Sequence, residues 1–269
     1  MDDKVTVLKK TEEAPKSFGW FIRMFLTLYD VYLFIARFFK EGFLPPYEGK
    51  ELVKQCYNIG LKTLPLISVT GFITGVVFTK QSRPSLAEFG ATSWLPSLVG
   101  IALLRTLAPL LTALISAGKV GSSIGAELGS MRVTEQIDAM EVSATNPFKF
   151  LVTTRVLATT ISMPILTFYT AFIGLLGSLL NVTISESTSS KMFFESALEQ
   201  ITFLDITAST IKAIIFGFTI SMVGCYQGYN SLKGTEGVGK AANSAVVIGM
   251  FLVFIEEVIT VQFFALFRT

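Results

Sequence analysis

Five stretches of this chain are apolar for about the length a helix needs to cross a bilayer, roughly 20 residues. They run over 58–79, 94–117, 151–182, 206–228 and 243–267. A backbone inside hydrocarbon must satisfy its own hydrogen bonds, so apolar runs of this length are read as helices rather than open sheet. Composition agrees: the set AVILMFWYC makes up 51% of the 269 residues and charged residues 16%, against roughly 25% charged in average soluble domains. Basic and acidic residues number 22 and 20. That near balance excludes nucleic-acid binding by bulk charge.

A sixth apolar stretch, 18–40, has a different pattern. Arg23, Thr27, Asp30, Arg37 and Glu41 follow one another at steps of four, three, seven and four. These steps line one helical face, while Trp20, Phe21, Met24, Phe25, Leu28, Tyr32, Ile35 and Phe39 fill the rest. A charged stripe on an aromatic-rich helix favours a place in the interface plane. The alternative is a span that turns its stripe inward. Pro45-Pro46 closes the segment, giving an interfacial helix over 18–45 behind a charged stretch, 1–17. That first stretch lacks the apolar core and small-residue cleavage site of a signal peptide.

Lys and Arg in short loops set orientation. Lys119, Arg132, Lys149 and Arg155 in 118–155, with Lys233 and Lys240 in 228–242, predict two cytoplasmic loops. The loop 183–205 carries Glu186, Glu195, Glu199 and Asp205 against Lys191 alone, and is predicted to be external. Five spans then leave the N-terminus on the cytoplasmic side and the C-terminus outside. Lys80 and Arg83 in the loop 80–93 run against this rule.

Between the second and third apolar stretches lies GKVGSSIGAELGSMRVTEQIDAMEVSATNP. Gly121, Gly125 and Gly129 form overlapping G-x-x-x-G steps, the spacing at which membrane helices approach closely. A short amphipathic helix follows. Thr134 is its expected N-cap, Glu135 and Asp138 suit its first turns, and Val133, Ile137, Met140 and Val142 supply apolar contacts. Asn146-Pro147 stops it. It reads either as a plain connector or as a docking surface for a soluble partner.

The chain has no histidine and two cysteines, Cys56 and Cys225, far apart. His bases, His-containing triads and His- or Cys-ligated metal sites are thereby excluded as the basis of activity. GTEGVGKA at 234–241 imitates a phosphate loop, but Ala241 stands where a Mg²⁺-binding hydroxyl is required. The sequence predicts no catalytic residue, no metal and no cofactor in this chain. The remaining candidates are charges inside apolar stretches, which are costly and mark functional sites by default: Arg105, Lys212, Glu256 and Glu257. They read as structural ion pairs that hold helix register, or as a polar lining for a cavity that meets a charged head group.

The run AGKVGSSIGAELGSMRVTEQIDAMEVSATNPFKFLVTTRVLA at 117–158 resembles the signature of the MlaE/YrbE permease family, as does GYNSLKGTEGVGKAANSAVV at 228–247. The resemblance covers roughly 50–267. It implies an all-α integral membrane protein, with an N-terminal interfacial amphipathic helix, about five transmembrane helices and a cytoplasmic coupling helix. The permease domain is expected over 50–269. It further implies a permease subunit of an ABC transporter that moves phospholipids or related lipids between the bacterial inner membrane and an MCE-domain protein, in outer-membrane lipid homeostasis. Two permeases would pair as a homodimer. A separate ATPase would bind ATP and Mg²⁺, and a STAS-domain protein can join that ATPase.

By the same resemblance the ATPase-coupling residues are Thr134, Glu135, Gln136, Asp138 and Glu141, and the lipid-binding candidates are Arg105, Thr106, Lys212, Glu256 and Glu257. The family's Arg-Glu-Leu-Gly-Pro motif reads Arg105-Thr106-Leu107-Ala108-Pro109 here. Thr106 replaces the acid, and Glu256 or Glu257 is the expected compensation. The rival function is an ATPase-independent secondary transporter or channel, with Glu256 and Glu257 on its ion path.

Overall fold

The computed structural model describes residues 16–42, 48–186, 189–232 and 234–267. Pro45-Pro46 and the charged first stretch lie outside them. Among the described residues every regular element is helical. The chain divides into two units, Met1–Tyr47 and Glu48–Thr269.

Among the described residues the first unit holds one helix, α1 (Lys16–Gly42). It matches the expected 18–40 stretch. Arg37 Nε lies 2.7 Å from Glu41 Oε1 on the polar stripe. Phe25, Leu28, Tyr32 and Phe39 are more than half exposed. The helix is not among those apolar enough to cross a membrane.

Among the described residues the second unit holds five helical rods that are long and apolar enough to do so: Gly49–Glu88, Thr92–Val133, Phe148–Ile184, Phe203–Tyr229 and Thr235–Ala265. Each predicted window falls within one of them or overruns it by a residue or two. The rods extend past the windows because their ends carry polar residues that hydropathy does not count. Rod one is α2 (Gly49–Ile59), a tight turn at Leu61–Thr63 and α3 (Leu64–Glu88). Rod two is α4 (Leu95–Ala102), α5 (Ala108–Ser116) and α6 (Ser122–Val133), joined by wide π-helical turns at Leu103–Leu107 and Ala117–Gly121. Its 42 residues reach about 63 Å. A short helix, α7 (Gln136–Val142), follows. Rod three opens on a third π turn and becomes α8 (Thr154–Glu186). The acidic loop 183–205 is itself helical, as α9 (Ser190–Glu199). Rods four and five are α10 (Phe203–Tyr229) and α11 (Thr235–Ala265).

Helix α8 packs along both α3 and α10, and α10 and α11 pack on α6. Ile67, Ala113, Ala117, Met163, Leu166, Phe216, Ile220 and Val253 meet in one buried cluster, drawing on every rod. Leu95, Val99, Leu103, Leu175, Phe193 and Ala197 form a second, which ties α9 onto α4.

Hydrocarbon offers no hydrophobic drive between helices, so close approach and hydrogen bonds must hold them. The α3–α8 seam shows both. Thr79 Oγ1 donates to Ser178 Oγ at 2.7 Å, and Ser68 Oγ and Tyr169 Oη are 2.7 Å apart. A Cβ at Gly75 would overlap the Gly174 carbonyl, so only glycine permits this approach. Gly75→Val is expected to splay the seam and to cost more than the ~1–3 kcal/mol typical of overpacking, because the obstacle is backbone. Thermal unfolding of the purified protein in detergent checks it through a lower midpoint than wild type.

Gly121, Gly125 and Gly129 also pack within this chain. They face Ile220, the Ala241–Ala242 backbone and Ser231–Val238 respectively. The phosphate-loop mimic opens α11: Gly234 takes φ +102°, and exposed Lys240 pairs with Glu236 at 2.7 Å. Cys56 and Cys225 are free thiols.

Candidate functional site: a charge cluster and a displayed helix

Pro109 organises the first part of the site. It has no N–H to give to the carbonyl four residues earlier, that of Arg105. The rod widens into the π turn at Leu103–Leu107, a feature frequent at functional sites. Buried carbonyls released this way need other donors, and α10 supplies them. Ser209 Oγ donates to the Leu104 carbonyl at 2.5 Å. Lys212 Nζ donates to the Arg105 carbonyl at 3.1 Å.

Two ion pairs are built around that turn. Lys212 Nζ lies 2.6 Å from Glu257 Oε1, and both residues are buried. Arg105 Nη2 donates to Asp205 Oδ2 at 2.9 Å, and its Nε lies 2.6 Å from Oδ1 as an ion-pair contact. Asp205 is fully buried and also accepts from the Thr202 amide at 3.0 Å and its hydroxyl at 2.8 Å. These bonds belong to the capping box that starts α10. Arg105, Thr106, Ala208, Lys212, Val261 and Phe264 line a cavity of about 70 Å³. That is room for about two waters at ~30 Å³ each, and not for an acyl chain.

The structure adds two facts to the sequence reading. The carboxylate that meets Arg105 is Asp205, which sequence reasoning put in an external loop. Glu256 and Glu257 both meet partners other than the Arg105 side chain. Glu257 serves Lys212, while Glu256 Oε1 accepts from Thr219 Oγ1 at 2.5 Å. Adjacent helical residues point about 100° apart, so two neighbouring glutamates cannot share one partner. The missed residues had a signal: Thr202-x-x-Asp205 marks a helix start, and Asp205, Ser209 and Lys212 then fall on one face at i, i+4 and i+7.

Asp205→Ala removes the partner of Arg105 and the cap of α10 together. It is expected to destabilise the fold by about 3–5 kcal/mol, the cost of stranding half a buried pair, whereas Thr202→Ala loses only the cap, ~1 kcal/mol. Comparing their thermal midpoints checks the order.

The second part of the site lies at the far end of rod two. Thr134 is not the N-cap of the short helix but the C-cap of α6. Its hydroxyl donates back to the Ser130 carbonyl at 2.9 Å. Glu135 takes the left-handed conformation, φ 59°, and α7 begins at the next residue. The cap signal misled because a threonine hydroxyl serves the preceding turn equally well. Ile137 is buried and anchors α7, whereas Thr134, Glu135, Gln136, Asp138 and Glu141 are exposed. Arg132 Nη1 donates to Asp138 Oδ1 at 2.5 Å. Arg155 is a cation of the bundle rather than of the loop: it is 2% exposed and bonds Glu127 at 2.9 Å and the Leu151 carbonyl at 2.9 Å. This pair ties the two arms that flank α7.

The profile of the family described as Permease MlaE matches residues 52–263. A probable ABC transporter permease protein of Rickettsia prowazekii is 37% identical over 237 residues, 88% of this chain and 91% of that one. A probable ABC transporter permease protein of Synechocystis is 34% identical over 83% of this chain and 87% of its own. The chloroplastic protein TRIGALACTOSYLDIACYLGLYCEROL 1 of Arabidopsis thaliana is 31% identical over 80% of this chain and 61% of its own. The matched region contains all five membrane-crossing rods except the first residues of rod one and the last of rod five, together with the charge cluster and α7. On this ground the chain is a multi-pass membrane protein and a permease subunit, and it belongs to the MlaE permease family.

Proposed function

We propose that this permease subunit is one half of a phospholipid conduit in a bacterial inner membrane. It works as a homodimer with an ATPase on the cytoplasmic side and an MCE-domain protein on the periplasmic side, for outer-membrane lipid homeostasis. The observation that carries this reading is the path of rod two. Rod two carries the Arg105 cluster inside the apolar region and ends at Val133, and the exposed face of α7 follows it directly across the turn at Thr134–Glu135. A push on α7 is therefore felt at the cluster, with the two π turns as the places where the rod yields. The lipid named in the Arabidopsis relative supports a lipid cargo. So do two cations inside the apolar region, which suit a phosphate. The 70 Å³ cavity is too small for a whole lipid, which favours a conduit completed by a second copy.

In this reading Thr134, Glu135, Gln136, Asp138 and Glu141 receive the ATPase, to which a STAS-domain protein can bind. ATP and Mg²⁺ are held there and hydrolysis takes place there, not in this chain. Arg105 and Lys212 hold the head group, with Thr106 lining the same cavity. Asp205 and Glu257 keep both cations oriented. The stripe of α1 lies in the interface. The N-terminus is cytoplasmic and the C-terminus periplasmic, as expected from Lys and Arg in the loops, although Arg155 no longer counts toward that expectation.

Purification from the native membrane in mild detergent, with mass spectrometry of bound proteins and lipids, tests the assignment. An ATPase and an MCE-domain protein with stoichiometric phospholipid are expected. A lone chain in several detergents, with transport that follows an ion gradient, would overturn it in favour of a secondary transporter.

A further inference from the structure

A second cavity, of about 230 Å³, lies apart from the Arg105 cluster, between α2 and the α7 half of rod two. Its polar lining includes Gln55, Asn58, Lys62, Lys119, Ser123 and Glu127. At ~30 Å³ per water it has room for about seven, enough for a phosphate and part of its hydration. The balance of charge in the lining is positive. Its one carboxylate, Glu127, is bound at 2.9 Å by Arg155, which leaves two lysines uncompensated by the lining itself. Lys119 Nζ donates to the Lys62 backbone carbonyl. That bond holds the ammonium at the cavity while using one of its three N–H groups.

Depth and surroundings point to a lipid. The apolar window of rod two ends at 117, two residues before Lys119, and that of rod one starts at 58, four residues before Lys62. Both lysines thus sit at the edge of the hydrocarbon, the level of lipid phosphates. Along the same stretch of rod one, interleaved in sequence with the lining residues, Val53, Tyr57, Leu61 and Leu66 are 69%, 56%, 54% and 46% exposed. This apolar strip is suited to acyl chains and has no use for a free ion.

We propose that this cavity binds the phosphate of an anionic lipid from the leaflet on the α7 side, with Lys62 and Lys119 as the phosphate-binding residues. The site is distinct from the conduit and does not depend on the transport reading.

The test uses the full chain purified after exposure to vesicles of equal phosphatidylglycerol and phosphatidylcholine, with retained lipid counted by native mass spectrometry. Wild type is expected to retain phosphatidylglycerol preferentially. Lys62→Gln with Lys119→Gln is expected to cut that preference about tenfold, the loss of one or more charge-assisted bonds. Ser123→Glu places an acid in the lining at an exposed position. It is expected to do the same without disturbing the fold, so it decides the matter alone if the lysine variant does not fold. Lys50→Gln with Lys54→Gln removes two exposed cations of α2 that do not line the cavity, and is expected to leave the preference standing. Three results would overturn the proposal: preference kept in Ser123→Glu and the lysine variant, an equal loss in the Lys50 and Lys54 variant, or displacement of the lipid by millimolar inorganic phosphate, which would make a free ion the ligand.

Discussion

Lys212→Met is expected to destabilise the protein by about 3–5 kcal/mol, because it leaves Glu257 buried with its charge unmatched. Glu257 is 8% exposed, and its Oε2 is buried without a hydrogen-bond partner. Its environment therefore offers no replacement for the ammonium at 2.6 Å. The apolar region around α11 sharpens the effect, since charge in a bilayer is costly wherever it is not paired. Lys212→Met combined with Glu257→Leu is expected to recover most of the loss. Replacing both members of a buried pair by apolar groups of similar volume is often neutral or better. Recovery stops short of complete because the Arg105 carbonyl, which Pro109 cannot reach and Lys212 Nζ now covers, loses its donor at about 1–3 kcal/mol. Thermal midpoints in detergent for the four proteins of this cycle check these relations. If Lys212→Met alone unfolds at the wild-type temperature, the pair is not structural. If the double variant folds but moves no lipid in a reconstituted complex, the pair also serves the cargo.

Asp138→Lys, or Glu135→Lys, is expected to abolish lipid movement while leaving the chain folded. Asp138 and Arg132 are both partly exposed, at 51% and 38%, and exposed pairs contribute about 0–1 kcal/mol. Reversing the charge therefore leaves the α7 anchor, Ile137, in place and changes only the surface offered to the ATPase. Lipid transfer and lipid-stimulated ATP hydrolysis, measured on the reconstituted complex, check it. Full transport by either variant would reduce α7 to a connector. Glu135→Gly separates charge from shape. Glycine is comfortable at φ 59°, so this variant should fold at least as well as wild type and still lose coupling if the carboxylate itself is what the partner reads.

How much of this was legible in advance depends on the range over which each property is decided. Whether a segment spans is decided by the residues of that segment, through the transfer of about 20 side chains and a self-satisfied backbone. All five rods were accordingly visible, as was the amphipathic stripe of α1. The exposed acidic face of α7 was visible for the same reason. Its boundary was not: Thr134 can cap forward or backward, and the left-handed turn at Glu135 is settled by how α7 seats Ile137 in the bundle.

Pairing is decided between rods, and there the sequence alone stopped. It marked Arg105, Lys212, Glu256 and Glu257 as charges that need partners, since hydrocarbon penalises any charge without one. It did not say which partner each would meet. Rotation of α11 turns Glu257 toward Lys212 and leaves Glu256 to Thr219. The start of α10 at Phe203 brings Asp205 inside, to Arg105. The glycines at 121, 125 and 129 announced a close approach, and tertiary packing directed it to α10 and α11 of the same chain. Hydropathy and helical period are sums over neighbours along the chain, so the sequence determined the rods and their charged positions. Ion pairs and glycine contacts depend on rotation and depth between rods far apart along the chain, so only the folded bundle decided them.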